Sequence, residues 1–375
     1  MQALTSGDEQ IEKNTARRNN NLDMLKGICC MCVVLLHFNW ANKVGLCVRT
    51  ITRVAVPTFF FISGFFCLTN NKIVGFEAFS RKIVRTVALI RKAWFGYLLV
   101  YLIYHSFNNP NWKLIASLQP HITGYRIQSL VITNSPVFFS HLWFLFALIY
   151  CYCLLSVFSG RQFFLIPTLI VAIILIVCLS TLTEFNVVIH LPFLDSLRKR
   201  NMYPQHFFLF RALPFVLLGM VAKHIMDHDR EGAQSCVVRF LTLPFEHVYL
   251  CMGMVAAGLV TSIFERFRCD KECQCYLGTI LADAFIWGMV LKHKEWNAPI
   301  LIHTGKDLSS DVYLWHVAAG YFVGLFASRL RGLQFTVYVH ILPFLVLAMS
   351  LLIAEALYRI KKMRSRVQGS GRSLP

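Results

Sequence analysis

Charge is scarce in this sequence. Only 15% of its 375 residues are Asp, Glu, Lys or Arg, and acidic residues are the rarer kind, 19 against 37 basic ones. A soluble domain of this length needs more polar surface than that, because conformational entropy is recovered only by hiding apolar area from water. With 56% hydrophobic residues and a mean hydropathy of +0.56, the chain instead suits a lipid solvent. Its apolar residues fall in continuous blocks rather than alternating, which excludes a β-barrel. The blocks are roughly 17 to 22 residues long, enough for a helix to cross about 30 Å of hydrocarbon.

Other features are missing too. The opening residues 1–21, MQALTSGDEQIEKNTARRNNN, have no apolar stretch of the signal-peptide kind and read as a cytoplasmic tail. The net charge of +18 comes with no basic groove or nucleic-acid motif, so nucleic acid is not an expected partner. Of the thirteen cysteines, most sit inside apolar blocks as small hydrophobes. The loop cluster CDKECQC (Cys269, Cys273, Cys275) has no histidine at zinc-finger spacing, and no metal is expected. Internal repeats and a second soluble domain are both absent from the pattern.

What is present is ten apolar segments, near 22–41, 51–69, 93–107, 137–158, 163–181, 205–224, 244–264, 274–291, 309–328 and 334–357. The expected fold is an all-α, polytopic transmembrane bundle of about ten spans with both termini cytoplasmic. With that topology about 23 of the 37 lysines and arginines fall inside, as the positive-inside rule requires. The basic stretch RIKKMRSR (Arg359 to Arg366) agrees, whereas DSLRKR (Asp195 to Arg200) opposes it. The domain plan is a tail over 1–21, a transmembrane domain over 22–358 and a basic cytoplasmic tail over 359–375. The longest loop, Asn108 to Pro136, is expected outside and carries Trp112, His121, Tyr125 and Arg126.

The first segment, LDMLKGICCMCVVLLHF, holds two ionisable groups, Lys26 and His37. Eleven residues make close to three helical turns, so both project from one face about 16 Å apart along the axis. Ionisable residues inside spans are costly and mark function by default. Histidine suits proton transfer, since one ring nitrogen can accept a proton near neutral pH. Read alone, His37 is equally a structural histidine bonding a neighbouring helix. Asp23 lies too far along the helix to orient the His37 ring and suits a role beside Lys26. Arg211 and Asp283 are further charges within spans, either paired with one another or facing substrate.

Four further stretches add to this: AVPTFFFISGFF (Ala55 to Phe66), FSRKIVRT (Phe79 to Thr86), HLWFLFALI (His141 to Ile149) and SSDVYLWH (Ser309 to His316). Together with the basic residue, ten residues, then histidine of Lys26 and His37, their order resembles the acyltransferase 3 family, from Leu22 to about Tyr358. LPFVLLGM (Leu213 to Met220) also has a familial look. The family's R-x-x-R stands here as Lys82-x-x-Arg85, so Arg81 is an alternative partner.

The resemblance implies a multi-pass enzyme of the bacterial inner (plasma) membrane. Such an enzyme moves an acyl group, commonly acetyl from acetyl-CoA, onto a hydroxyl of a surface or lipid-linked glycan. It points to His37 as general base, directly or through an acyl-histidine, and to Lys26, Arg81, Lys82 and Arg85 as contacts for the CoA phosphates. His316, with Tyr313 one turn earlier, is a second catalytic candidate. Tyr313, Trp143 and Arg211 are candidates for holding the acceptor. His141 with Trp143 reads equally as an interfacial aromatic anchor, and Ser63 and Gly64 read as structural. Partners are acyl-CoA, the glycan acceptor and the lipid bilayer; a homo-oligomer is compatible with the sequence but not decided by it. The competing class is a transporter or exporter of a polysaccharide or small molecule on the same scaffold, without acyl chemistry.

Overall fold

The computed structural model describes residues 19–108, 123–136, 139–183, 195–196, 199, 202, 206–230, 236–269, 273, 275–293, 296–327 and 330–370. Every one of the ten apolar segments contains a helix. In chain order these are α1 (Asn20–His37), α2 (Lys43–Ile51) leading through a 3-10 turn into α3 (Ala55–Phe65), α4 (Phe76–Asn108), α5 (Gly124–Thr133), α6 (Trp143–Ser156) and α7 (Leu165–Thr183). Then come α8 (Phe208–Arg211), α9 (Leu213–Arg230), α10 (Cys236–Thr242), α11 (Val248–Arg268), α12 (Leu277–Lys292), α13 (Pro299–His303), α14 (Ser309–Ala327) and α15 (Leu333–Ser370). Six stretches are long and apolar enough to cross a membrane: 43–65, 76–103, 165–182, 208–228, 248–268 and 333–366. Ser140–Ser156 is a shorter apolar helix.

Two boundaries differ from the sequence reading. The third segment is not the short span 93–107, because the basic stretch before it is helical too and α4 runs unbroken for 33 residues. Lysine and arginine are good helix formers, so an apolar window cuts such a helix short. The basic C-terminal tail likewise continues α15 as helix as far as Ser370.

α1 forms the axis of the bundle. Asn19 caps it by accepting from the backbone N–H groups of Asn21 and Leu22, and Asp23 sits in the first turn, where the helix dipole favours a carboxylate. Leu22, Leu25, Cys29, Cys30, Val33 and Val34 are all buried against neighbouring helices. Asn21 is buried as well: its amide donates to the carbonyl of Val290, and its oxygen accepts from the Trp296 N–H. The far side of α1 meets a π turn at Thr304–Leu308, between α13 and α14. There the chains touch backbone to backbone. A Cβ on Gly305 would lie 1.7 Å from the Asp23 carbonyl oxygen, and one on Gly27 would lie 2.3 Å from that of Leu301.

The same device joins α3 to α9. A Cβ on Gly64 would lie 1.9 Å from the Val216 oxygen, and one on Gly219 would lie 2.0 Å from the Phe61 oxygen. Small residues let helices approach where lipid gives no hydrophobic drive to associate. The apolar side chains left outside, such as Ile166, Ile170 and Ile174 on α7 or Tyr249 and Phe264 on α11, form outward faces that lipid would cover.

Ionic ties hold the Lys26 end of the bundle. Asp311 of α14 is buried and is paired with Lys92 of α4 and, at 2.6 Å, with Lys361 of α15. His303 bridges two acids, Asp307 at 2.9 Å from Nδ1 and Glu355 at 3.0 Å from Nε2. The hydrogen bond to Glu355, helped by Asp307, holds the His303 imidazole above its ordinary value of 6.5 against partial burial. Its stabilisation is therefore complete below that value and fades as pH rises through the folded one.

Two outcomes follow for the protein in detergent. Gly64→Ala should cost roughly 1–3 kcal/mol and lower the thermal midpoint. Gly253→Ala, where nothing lies within 4 Å, should not lower it; equal midpoints would refute the close-contact account. His303→Gln should lower the midpoint more at pH 6 than at pH 9, and a deficit independent of pH would count against the ionic bridge.

Candidate active site

α1 ends at His37, and the chain turns back into α2 and the 3-10 turn, which bring Arg49 and Arg53 beside it. From the other side comes a 3-10 turn at Ser140–Leu142. It starts at Phe139, whose φ of +56° is a left-handed conformation that a bulky residue rarely adopts. That turn buries His141. α14 supplies Tyr313 and His316 one helical turn apart.

These elements bring three imidazoles together. The His316 ring centroid is 5.1 Å from that of His37 and 5.4 Å from that of His141. Tyr97 stands 5.0 Å from His141 and anchors its hydroxyl on the Leu314 carbonyl at 2.6 Å. Tyr313 donates its hydroxyl to the His141 carbonyl at 2.5 Å, tying the turn to α14.

The tautomer of His316 follows from its partner. Its Nδ1 lies 2.7 Å from the Tyr313 carbonyl, which can only accept, so Nδ1 carries the hydrogen. In the neutral ring Nε2 is then a lone pair. It is buried without a hydrogen-bond partner among the described residues, as is Nε2 of His141. Buried polar atoms are rarely left so unless a ligand or water meets them. A neutral His316 in this tautomer accepts protons, so donating to an oxyanion requires it to be protonated first.

His37 and His141 line a cavity of about 170 Å³ with Arg49, Arg53, Trp143 and Tyr313. Arg211 lies over the Trp143 ring at 3.5 Å to the centroid. It reaches the cavity because the sixth apolar segment is broken: α8 stops at Arg211, and Ala212 leaves helical geometry before α9 begins. Broken helices at membrane depth are tolerated where they line a cavity. A wider vestibule of about 620 Å³ shares His37, His141, Trp143 and Arg211, and adds Arg126 and Ser129 from α5 and also His206.

Five of the nine sequence-predicted site residues therefore gather at the His37 end: His37, His316, Tyr313, Trp143 and Arg211. The other four do not join them. Lys26 pairs with Asp23 at 3.2 Å, as expected of that aspartate, and lies over the Phe66 ring. Arg81 pairs with Glu77 at 3.6 Å, Lys82 lies over the Tyr152 ring, and Arg85 is exposed.

Other expectations resolve differently. Asp283 is not paired with Arg211; one of its oxygens accepts from Thr58, which in turn accepts from the Trp287 indole. Ser63 bonds within its own helix, to the Phe59 carbonyl. Cys275 lines the inner cavity. Trp112 and His121 lie outside the described residues, as does half of DSLRKR. Sequence reasoning left His141 open between a site residue and an interfacial anchor, and missed Arg49 and Arg53. The one available signal was arginine recurring in stretches that the expected topology puts on the outer side.

With that geometry in hand, comparison adds one decisive match. A family model described as an acyltransferase domain, the acyltransferase 3 family, matches residues 19–359. The chain belongs to this family. No curated protein and no solved structure gives a match. The protein is thus a membrane-type acyltransferase, and an exporter without acyl chemistry is no longer the natural reading of the scaffold.

In this acyltransferase the Tyr313 hydroxyl is the link between α14 and the His141 turn. Tyr313→Phe should cost about 1 kcal/mol of stability, a small fall in the thermal midpoint, and lower the transfer rate several-fold by loosening the His141 turn. An unaltered rate would show that this bond does not place His141.

Proposed function

We propose that the protein moves an acyl group, acetyl foremost, from cytoplasmic acyl-CoA to a hydroxyl of a cell-surface or lipid-linked glycan. His37 is the general base. The reading puts the chain in the inner (plasma) membrane with about ten spans and both termini cytoplasmic. The Lys26 end then faces the donor and the His37 end faces the acceptor. The observation that carries this reading is His37 opening into a cavity one ring away from the lone pair of His316.

The chemistry balances without a metal or redox group. An imidazole nitrogen of His37 takes the hydroxyl proton as the acceptor oxygen attacks the thioester carbonyl carbon. The tetrahedral adduct collapses, the C–S bond breaks, and the leaving thiolate takes the proton back to give free CoA. His316 stands next in line to accept that proton or to steady the His37 ring. Charge building on the carbonyl oxygen falls among Arg49, Arg53 and Arg211, in a site with little water to reorganise. A route through acyl-histidine uses the same groups in two steps.

For the donor, Arg81, Lys82 and Arg85 offer cations at the Lys26 end, where arginine grips phosphate with two N–H groups and lysine acts as a point charge. The distance of about 16 Å between Lys26 and His37 along α1 leaves the extended pantetheine arm to bring the thioester to the histidine.

Purified protein in liposomes with radiolabelled acetyl-CoA and candidate glycans tests the assignment. His37→Ala should cut transfer by about 10²–10⁴-fold while acetyl-CoA still binds. Arg85→Ala should weaken acetyl-CoA binding with the fold retained. Full transfer by His37→Ala would overturn the base assignment, and undiminished binding by Arg85→Ala would move the donor site elsewhere.

A further inference from the structure

Every charged side chain on the walls of the inner cavity and vestibule is cationic. Arg49, Arg53 and Arg211 line the first, Arg126 and Arg211 line the second, and no aspartate or glutamate lines either among the described residues. The arginines come from separate elements (α2, the 3-10 turn after it, α5 and α8), so local sequence does not explain their meeting. Arg53 also lies over the Tyr276 ring at 5.9 Å, and Arg211 over Trp143, so aromatic faces hold both heads in place.

Two observations point to a ligand rather than to topology. On the orientation proposed above, this end faces away from the cytoplasm, where arginine works against the positive-inside rule. Beside the arginines, His141 lines both spaces, and its buried Nε2 has no hydrogen-bond partner among the described residues. Arg126 and Arg211 give the vestibule wall a positive potential, which favours an entering anion.

We propose that the acceptor is an anion: a sugar bearing a carboxylate or phosphate, docked on Arg53 and Arg211 so that its neighbouring hydroxyl meets His37. This deepens the acyl-transfer reading and rests on it for which side the acceptor enters. Guanidinium forks select oxyanions by geometry as well as charge, so a neutral glycan of the same shape binds more weakly.

The full chain in nanodiscs tests this by direct binding of four probes: a hexuronic-acid oligosaccharide, its carboxyl-reduced neutral counterpart, a hexose 1-phosphate and acetyl-CoA. At least one anionic sugar should bind about tenfold more tightly than the neutral one, in a salt-sensitive way. The two anionic probes separate carboxylate from phosphate. Arg211→Gln should abolish that preference and leave acetyl-CoA binding intact; Arg211→Lys should restore part of it. If Arg211→Gln does not fold, Arg126→Gln, at an exposed vestibule position, should reduce the preference instead. Equal binding of charged and neutral sugars overturns the proposal. So do arginine variants that weaken acetyl-CoA while sparing the sugars, which would give these cations to the donor. Arginine-dependent sugar binding without transfer to any probe would support the anion site and sink the acyl-transfer reading, so the two fail separately.

Discussion

The backbone contact between α1 and the π turn is the constraint on which the rest of the arrangement depends. Gly27 and Gly305 have no side chains, and the carbonyls of Asp23 and Leu301 occupy the space a Cβ would need. That approach sets how far α13 and α14 stand from α1. The π turn leads directly into α14, so the same contact fixes the height of Tyr313 and His316 relative to His37, two to three turns further along both helices. A ring separation of 5.1 Å at one end is thus set by two glycines at the other. π turns of this sort cost helix geometry and recur at functional sites.

Charges in an apolar chain must be neutralised or used, and the bundle does both, at opposite ends. At the Lys26 end, Asp23 answers Lys26, Asp311 answers Lys92 and Lys361, and His303 is held between Asp307 and Glu355. The cross-helix pairs tie α4, α13, α14 and α15 together, while Asp23 and Lys26 pair within α1. Buried pairs add little net stability compared with apolar packing, but breaking one is costly, so they specify which helices meet. At the His37 end, Arg49, Arg53 and Arg211 line a cavity. The contrast separates scaffold from site more sharply than burial does.

Much of this was legible in the sequence because membrane helices announce themselves by length and hydropathy. All ten apolar segments hold helices, and the stretch from Lys26 to His37 is one continuous helix, as the spacing of three turns requires. The family match spans nearly the stretch over which the motifs were recognised. What the sequence hid were facts of long-range pairing. Asp311 looks like any first-turn acid until Lys92 and Lys361, 219 and 50 residues away, are seen against it. His141 stayed open between site residue and interfacial anchor because nothing local says that a left-handed Phe139 opens the turn that buries it. The helical extent of α4 was missed because basic residues interrupt hydropathy without interrupting a helix.

Cavity size then divides the labour of the reaction. The inner cavity, at about 170 Å³, is the smaller of the two spaces that meet at His37. A thioester carbonyl and one attacking hydroxyl fit. The vestibule, at about 620 Å³, can take a sugar unit, and it joins the inner cavity through His37, His141, Trp143 and Arg211. On the proposed acyl-transfer reading, the bulk of CoA stays at the other end of α1 and sends in only its thioester arm, while the acceptor chain stays outside and presents one ring. Under that division the inner cavity sees two small reacting groups, which favours transfer to the sugar over hydrolysis of the thioester. Helices α1, α3 and α14 supply part of the wall, and Gly27, Gly64 and Asp311 help hold them at fixed distances.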